Sequence, residues 1–336
     1  MLPPMVPRIL ASALTLLSLL APAGATAAAA ELPTPAAPVA ACNDGVDQDA
    51  SGTADFPADP SCEAPWDDLE LTIRPGDLLV SDTRAGRIVR IDPVTGAQAL
   101  VAEGGMLVAP QHLVATGDGR VFVADSGAGA VIEVSLRTGA QRIAAESSLL
   151  ASAHGIALDD EGALLVTNRS TPTQLIRVDS GSGTATLRAA LPADALTGIA
   201  ILPGGDVVLG AEGWDNLFRV DARGHWISMH DARGFDARGV AVDASGNVLV
   251  VDRIGSVIER VERERQNVEL WAGSFDLDPE QMTVDLSGAV LLVDRATASL
   301  LRIDPVTGRH ETLSRGGLLT APSGLTTVPA PADATI

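Results

Sequence analysis

The sequence contains no lysine and no tyrosine. Every strong side-chain cation is therefore one of 23 arginines, set against 43 Asp and Glu, and the formal net charge is −20. That balance argues against nucleic acid or an anionic membrane surface as a partner, since both are gripped by clustered basic residues. The chain has no G-x-S-x-G elbow, no phosphate-binding loop and no dinucleotide fingerprint, which removes the common signatures of serine hydrolases, nucleotidases and dehydrogenases. Its longest uncharged apolar stretch, residues 9–20, is too short to span a bilayer stably, so membrane insertion is not expected. What remains is an apolar content of 46%, enough for a sizeable core in a chain of 336 residues.

The first 30 residues read as a secretory signal: Arg8 supplies the positive start, residues 9–20 the apolar stretch, and residues 21–30 offer several A-x-A cleavage sites near Ala28 or Ala30. The expected location is therefore periplasmic or extracellular. Residues 31–41 are Pro/Ala-rich and read as a linker. Val39-Ala40-Ala41-Cys42 resembles a lipoprotein attachment site, but it lies about twenty residues beyond the apolar stretch, so lipidation is disfavoured.

Cys42 and Cys62 are the only two cysteines, and an even count in an exported chain points to one disulfide. Closing that loop is worth about 3 kcal/mol in the chain-entropy model. Nine carboxylates lie between Asp44 and Glu70 with no cation among them. Asp47, Asp49, Ser51 and Asp55 stand at loop positions 1, 3, 5 and 9, with Gly52 at position 6, which is the ligand order of an Asp-rich calcium loop. Position 12 is Ala58, with Asp59 next, where such a loop has a bidentate Glu. The segment resembles a short Asp-rich two-cysteine module of exported bacterial proteins. It keeps both Cys, most Asp and the Pro pair, but has Gln48 for Asn and Ser51 for Asp. Two readings of residues 42–70 stay open: a weakened Ca²⁺ site, or a disulfide-closed, solvated acidic loop.

The rest of the chain is organised around one phrase, GRVFVADSGAGAVIEV at 119–134: an apolar run ending in Asp125, a small-residue turn, and a second apolar run. Asp82, Asn168, Ala211, Asp252 and Asp294 hold the place of Asp125 in the other copies, at steps of 43, 43, 43, 41 and 42 residues. Four short β segments per unit near 43 residues select an all-β propeller. Second strands at 77–81, 120–124, 163–167, 206–210, 247–251 and 289–293 make six blades. The sixth first strand comes only at 323–328, after the last full unit, so it should join the first blade and close the ring. IDPVTG at 91–96 recurs at 303–308 as the turn from third to fourth strand in the first and last blades. The fourth strands are the polar, outer ones, and RVERERQ at 260–266 reads as an exposed outer strand. Residues 71–328 resemble the NHL-repeat propellers and, more loosely, the six-bladed gluconolactonase and regucalcin family, through P-x-G-[IL]-[AT]-[VL] followed by G-x-[LV]-x-V-x-D. Residues 329–336 form a tail without an apolar anchor.

In such propellers the starts of the first strands surround the mouth of the central channel. The equivalent residues are Ser323, Gln111, His154, Thr197, Arg238 and Glu280. The lactonase resemblance implies a divalent metal held by Glu, Asn and Asp, with a carboxylate base. Here Glu280 is the lone anion, His154 is a soft ligand, and Arg238 puts a fixed positive charge beside them. Glu280 and His154 are thus the catalytic candidates if the chain is a lactonase or esterase. The alternatives are an Arg238–Glu280 ion pair with His154 hydrogen-bonded to water, or a site for a small polar or anionic ligand anchored by Arg238. The repeated Asp reads as a turn residue that accepts backbone N–H groups. Blade four breaks the phrase at Ala211 and continues Glu212-Gly213-Trp214-Asp215, which adds Glu212 and Trp214 as ligand-face candidates. His112, His225, His230 and His310 show no metal-ligand spacing. The expected function is a monomeric, non-catalytic binding or scaffold protein for a small polar molecule or a protein partner; the alternative is a metal-dependent hydrolase acting at the channel.

Overall fold

The computed structural model describes Ala58 and residues 73–330, apart from 213–215, 232–235, 256, 263–267, 274–277, 286 and 305. The signal, the linker and the acidic module, with Cys42, Cys62, Asp47, Asp49, Ser51 and Asp55, lie outside the described residues, as do Trp214 and residues 331–336.

The chain runs strand after strand. Blade one begins with β1 (Leu78–Asp82), β2 (Arg87–Ile91) and β3 (Gln98–Glu103). Blade two is β4 (Pro110–Ala115), β5 (Arg120–Asp125), β6 (Ala130–Ser135) and β7 (Gln141–Glu146). Blade three is β8 (Ala153–Leu158), β9 (Leu164–Asn168), β10 (Thr173–Val178) and β11 (Ala185–Leu191). Blade four is β12 (Ala195–Ile201), β13 (Val207–Glu212), β14 (Asn216–Val220) and β15 (Trp226–Asp231). Blade five is β16 (Ala237–Val242), β17 (Val248–Asp252), β18 (Val257–Val261) and β19 (Val268–Gly273). Blade six is β20 (Pro279–Val284), β21 (Val290–Asp294), β22 (Ser299–Ile303) and β23 (His310–Arg315). The last strand, β24 (Pro322–Thr327), pairs antiparallel with β1 and completes blade one in the order β24-β1-β2-β3. The structure is thus a six-bladed propeller closed by its C-terminal strand, as the sequence repeat predicts.

The second strand of each blade is mostly apolar because both its faces are covered; β1, β9, β17 and β21 are buried at every residue. Six aliphatic clusters fill the six spaces between adjacent blades, including the seam between blades six and one, where Leu291, Val293 and Leu300 meet Leu78, Val80 and Leu325. Outermost strands carry a one-residue bulge in every blade, such as Val101 in β3 and Ala144 in β7. A bulge twists the open edge and makes it a poor template for pairing with another chain.

An unread regularity holds the hairpins on one face. In four blades the next-to-last residue of the third strand is an arginine that reaches a carboxylate in the segment leading into the second strand: Arg90 to Asp77 (2.8 Å), Arg177 to Glu161 (2.8 Å), Arg219 to Asp206 (2.7 Å) and Arg302 to Asp285 (3.3 Å). Blade two inverts the charges: Glu133, opposite Phe122 as Arg90 is opposite Leu79, takes Arg120 and Arg142. The strand boundaries correct the expectation for the start of RVERERQ. Arg260 and Val261 end the third strand β18 rather than starting an outer strand, and the fourth strand begins only at Val268.

Candidate functional site

Each innermost strand carries a bulge at one and the same place. Between Pro110↔Asp125 and Leu113↔Val123, for example, two residues of β4 face one of β5, and the register breaks identically in β8, β12, β16, β20 and β24. The extra residue releases two side chains per blade from the alternation of the sheet, which is how bulges re-aim side chains at functional sites. The first member of each pair is the ring predicted from sequence: Ser323, Gln111, His154, Thr197, Arg238 and Glu280, all buried. The second member is Gly324, His112, Gly155, Gly198, Gly239 or Gln281.

Glycine holds four of those second places for want of space. A Cβ on Gly155 would sit 2.6 Å from the Thr197 carbonyl oxygen, one on Gly198 2.5 Å from that of Arg238, and one on Gly239 2.7 Å from that of Glu280. The backbone of the next blade passes directly over this position. His112 and Gln281 are the exceptions, and both place buried polar side chains at the mouth.

The mouth divides by chemistry. The ring residues of blades one to four are neutral. Ser323 Oγ donates to Gln111 Oε1 (3.2 Å), and Gln111 Nε2 donates to Ser126 Oγ (2.9 Å). Thr197 Oγ1 shares its proton between the carbonyls of Ala237 (2.9 Å) and Arg238 (3.1 Å), so it clips blade four to blade five. His154 Nδ1 lies 3.4 Å from the Thr197 carbonyl, and its ring meets that of His112 edge-on at 4.7 Å between centroids.

From blade three round to blade six runs a chain of alternating charge. Arg169 pairs with Glu212; Glu212 Oε1 also accepts from Arg238 Nη2 (3.0 Å). Arg238 Nη1 donates to both oxygens of Glu280 (3.2 and 3.0 Å), and Glu280 Oε1 is 3.2 Å from Arg295 Nη1. The Arg238–Glu280 pair predicted as one alternative is therefore present, but as the centre of a five-membered network. Beside it Arg253 Nε donates to Asp236 (2.8 Å). Burial pushes the Glu280 carboxyl above its ordinary range, against the pull of Arg238 and Arg295. Burial, helped by Arg169, Arg238 and Arg295, pulls His112 down to about 3, and burial with the charge of its neighbours holds His154 well below its ordinary value. Both imidazoles are neutral at physiological pH.

Sequence reasoning found the ring and Glu212 but missed Arg169, Arg295, His112 and Gln281. Two signals were available. The column of residues just after the repeated Asp reads Thr83, Ser126, Arg169, Glu212, Arg253, Arg295, an excess of arginine at one level. The glycine column is broken only at His112 and Gln281. The repeated Asp is a turn residue as read. Asp125 accepts from Val108 N (2.8 Å), Ala109 N (2.9 Å), Gly127 N (2.9 Å) and Ala128 N (2.9 Å), tying its own turn to the loop that enters the blade.

Below the mouth a cavity of about 320 Å³ follows the innermost strands past Leu113, Ile156, Ile199, Val240, Met282 and Leu325. Larger clefts, about 760 and 520 Å³, open between blades six and one and between blades three and four. Arg302 and Arg177 in these clefts are engaged by carboxylates, and Arg309 and Arg223 also line them; the mouth differs in that its polar side chains are buried.

These features define the chain as a six-bladed β-propeller with a guanidinium–carboxylate network at its channel mouth. No protein-family model matches it, and no curated protein matches it. Solved structures do. A chain in a crystal structure of a nidogen/laminin complex is similar over 74% of this chain and 97% of its own length, at 17% identity and a TM-score of 0.65. A streptogramin B lyase structure covers 76% of this chain and 88% of its own, at 14% identity and a TM-score of 0.59. A catalytically inactive histidine-to-alanine form of virginiamycin B lyase from Staphylococcus aureus, with quinupristin, covers 75% and 89% at 12% identity and a TM-score of 0.56. At such identities the likeness establishes the fold alone, and this fold carries both binding proteins and enzymes.

Proposed function

We propose that this chain is an exported, non-catalytic binding protein that meets a small polar molecule or a protein partner at the channel mouth. One observation carries the reading: Glu212 and Glu280 are each held between two guanidinium groups. A metal-dependent lactonase or esterase needs carboxylates or imidazoles free to gather on an ion. Here both carboxylates face arginines, so the two histidines, held neutral mainly by burial and thus in the metal-ligating form, would meet an ion without a free glutamate beside them. Among the described residues no group of three or more His, Cys, Asp and Glu could hold a metal ion. The donor set does not fit the metal that the lactonase resemblance implies.

One observation favours an enzyme instead. His112 is a buried neutral imidazole whose Nδ1 has no hydrogen-bond partner, and a histidine-to-alanine form of the virginiamycin B lyase noted above is catalytically inactive. The test is to incubate the purified protein with quinupristin and a panel of lactones and esters, with and without divalent metal. The binding reading expects no turnover; product formation lost in His112→Ala or Glu280→Gln would overturn it. The N-terminal module is proposed as a weak calcium site, which calorimetric titration of the full chain and of an Asp47→Asn, Asp49→Asn variant tests: equal heats from the two would reject it.

A further inference from the structure

We propose that the central channel holds a second binding site, a well open on the hairpin face, for a small neutral polyhydroxy molecule of the sugar-alcohol class. The well is separate from the mouth network and independent of what binds there. All six innermost strands contribute to its wall. The wall begins one level below the ring: Gln281 belongs to it, and none of the six ring residues does. It runs to Leu158, Ile201, Val242 and Val284, the half-buried last residues of β8, β12, β16 and β20. The ring residues above are each more than nine-tenths buried, with His112 packed edge-on against His154. Access is therefore from the hairpin face.

The wall is largely main chain. Leu113, Ile156, Ile199, Val240, Met282 and Leu325 each belong to a different one of the six aliphatic clusters between blades, so their side chains are spent there. Each innermost strand lies at the end of its sheet and pairs on one side only. On the other side, alternate N–H and C=O groups face the channel. Six such edges line the well with donors and acceptors that water or a ligand must satisfy. A hydroxyl group both donates and accepts, so a molecule bearing several of them matches this wall. The volume of about 320 Å³ stands at the small end of ligand sites, which span roughly 300–1,000 Å³.

Charge decides between neutral and ionic ligands. Among the described residues no ionisable side chain lines the well. The charged groups of the mouth above it, four arginines against four carboxylates, cancel. An ion entering the well would lose water without meeting a counter-charge. Between mouth and well, one side chain departs from the repeat. Four blades place glycine at the second bulge position; in blade six it is Gln281. That side chain is 8% exposed, and its Oε1 is buried without a partner. An unpaired buried acceptor is costly, and a ligand hydroxyl at the closed end of the well completes it.

Calorimetric titration of the full chain with erythritol, xylitol and glucose tests the assignment, with gluconate and glucosaminium as the anionic and cationic counterparts of glucose. A neutral polyol is expected to bind saturably, with little dependence on salt. Gln281→Met keeps the length of the side chain and removes the acceptor, and should weaken binding roughly tenfold. Thr326→Trp adds bulk to the wall in blade one, away from the mouth, and should weaken it at least as much. Arg142→Gln, in the outer strand of blade two, should bind as the parent does. Thermal melts verify that each variant folds, and either of the two site variants suffices. Polyol affinity unchanged in a folded Gln281→Met or Thr326→Trp variant would overturn the well as the site. Gluconate or glucosaminium bound as tightly as glucose would overturn the neutral class. No polyol bound at about 10 mM would leave the well to water alone and overturn the proposal.

Discussion

Removing the Arg238 side chain would leave Glu280 and Glu212 each with one guanidinium instead of two, and Glu280 is almost wholly buried. Breaking a buried ion pair from one side costs about 3–5 kcal/mol, because the remaining charge is stranded. Arg238→Met is therefore expected to lower stability by roughly 3 kcal/mol in urea melts, more than Arg169→Gln or Arg295→Gln, which strip only the exposed ends. His112 bears on pH. Its folded pKa of about 3 lies below its ordinary value of 6.5, so as pH falls the unfolded chain takes up the proton first. Stability is then lost progressively from about pH 6.5 toward 3, at about 1.4 kcal/mol per pH unit for that one group. His112→Asn should flatten the stability profile between pH 6 and 4 by about one proton relative to the parent; parallel profiles would show that His112 is not held neutral. None of this was legible from the histidine itself, because spacing along the chain says nothing about its burial or about three arginines arriving from other blades.

At the scale of strands and turns, the sequence was a better guide. The Asp column, the Gly turns and the apolar second strands repeat because every blade solves one problem: to bury a flat apolar ribbon between two neighbours. Repetition therefore revealed the blades, the ring of six bulge residues and the turn role of Asp125. Asp125→Ala should cost about 3 kcal/mol, since four N–H groups lose their acceptor, whereas Asp125→Asn should cost less, as Asn168 fills that place in blade three. Thermal melts of the two variants check the order. What repetition hid was anything that departs from it. Arg260 and Val261 lie one strand earlier than expected because charge alternation looks alike at the end of an inner strand and along an outer one. Arg169 and Arg295 escaped notice because each column was read for what it shared rather than for its excess of charge.

For the molecule as a whole, closure is the property that makes the mouth rigid. β24 joins the last residues to β1 and supplies Leu325 to the seam between blades six and one. Deleting residues 322–336 would expose the β1 edge and remove Leu325 and Val328, worth roughly 1.5–3 kcal/mol each. The truncated chain is expected to unfold at lower denaturant and to self-associate, by light scattering; a monomer of parental stability would contradict the closure argument. The bulge ring and the charged network depend on that closure, because Glu280 and Arg238 come from different blades. Whether the mouth binds or reacts is the central question. Ligand-observed NMR answers it in one sample, reporting contact through saturation transfer and turnover through product signals. The account expects saturation transfer to a small polar molecule with its spectrum unchanged over time. Product signals that grow with the parent protein and vanish with Glu280→Gln or His112→Ala would contradict it.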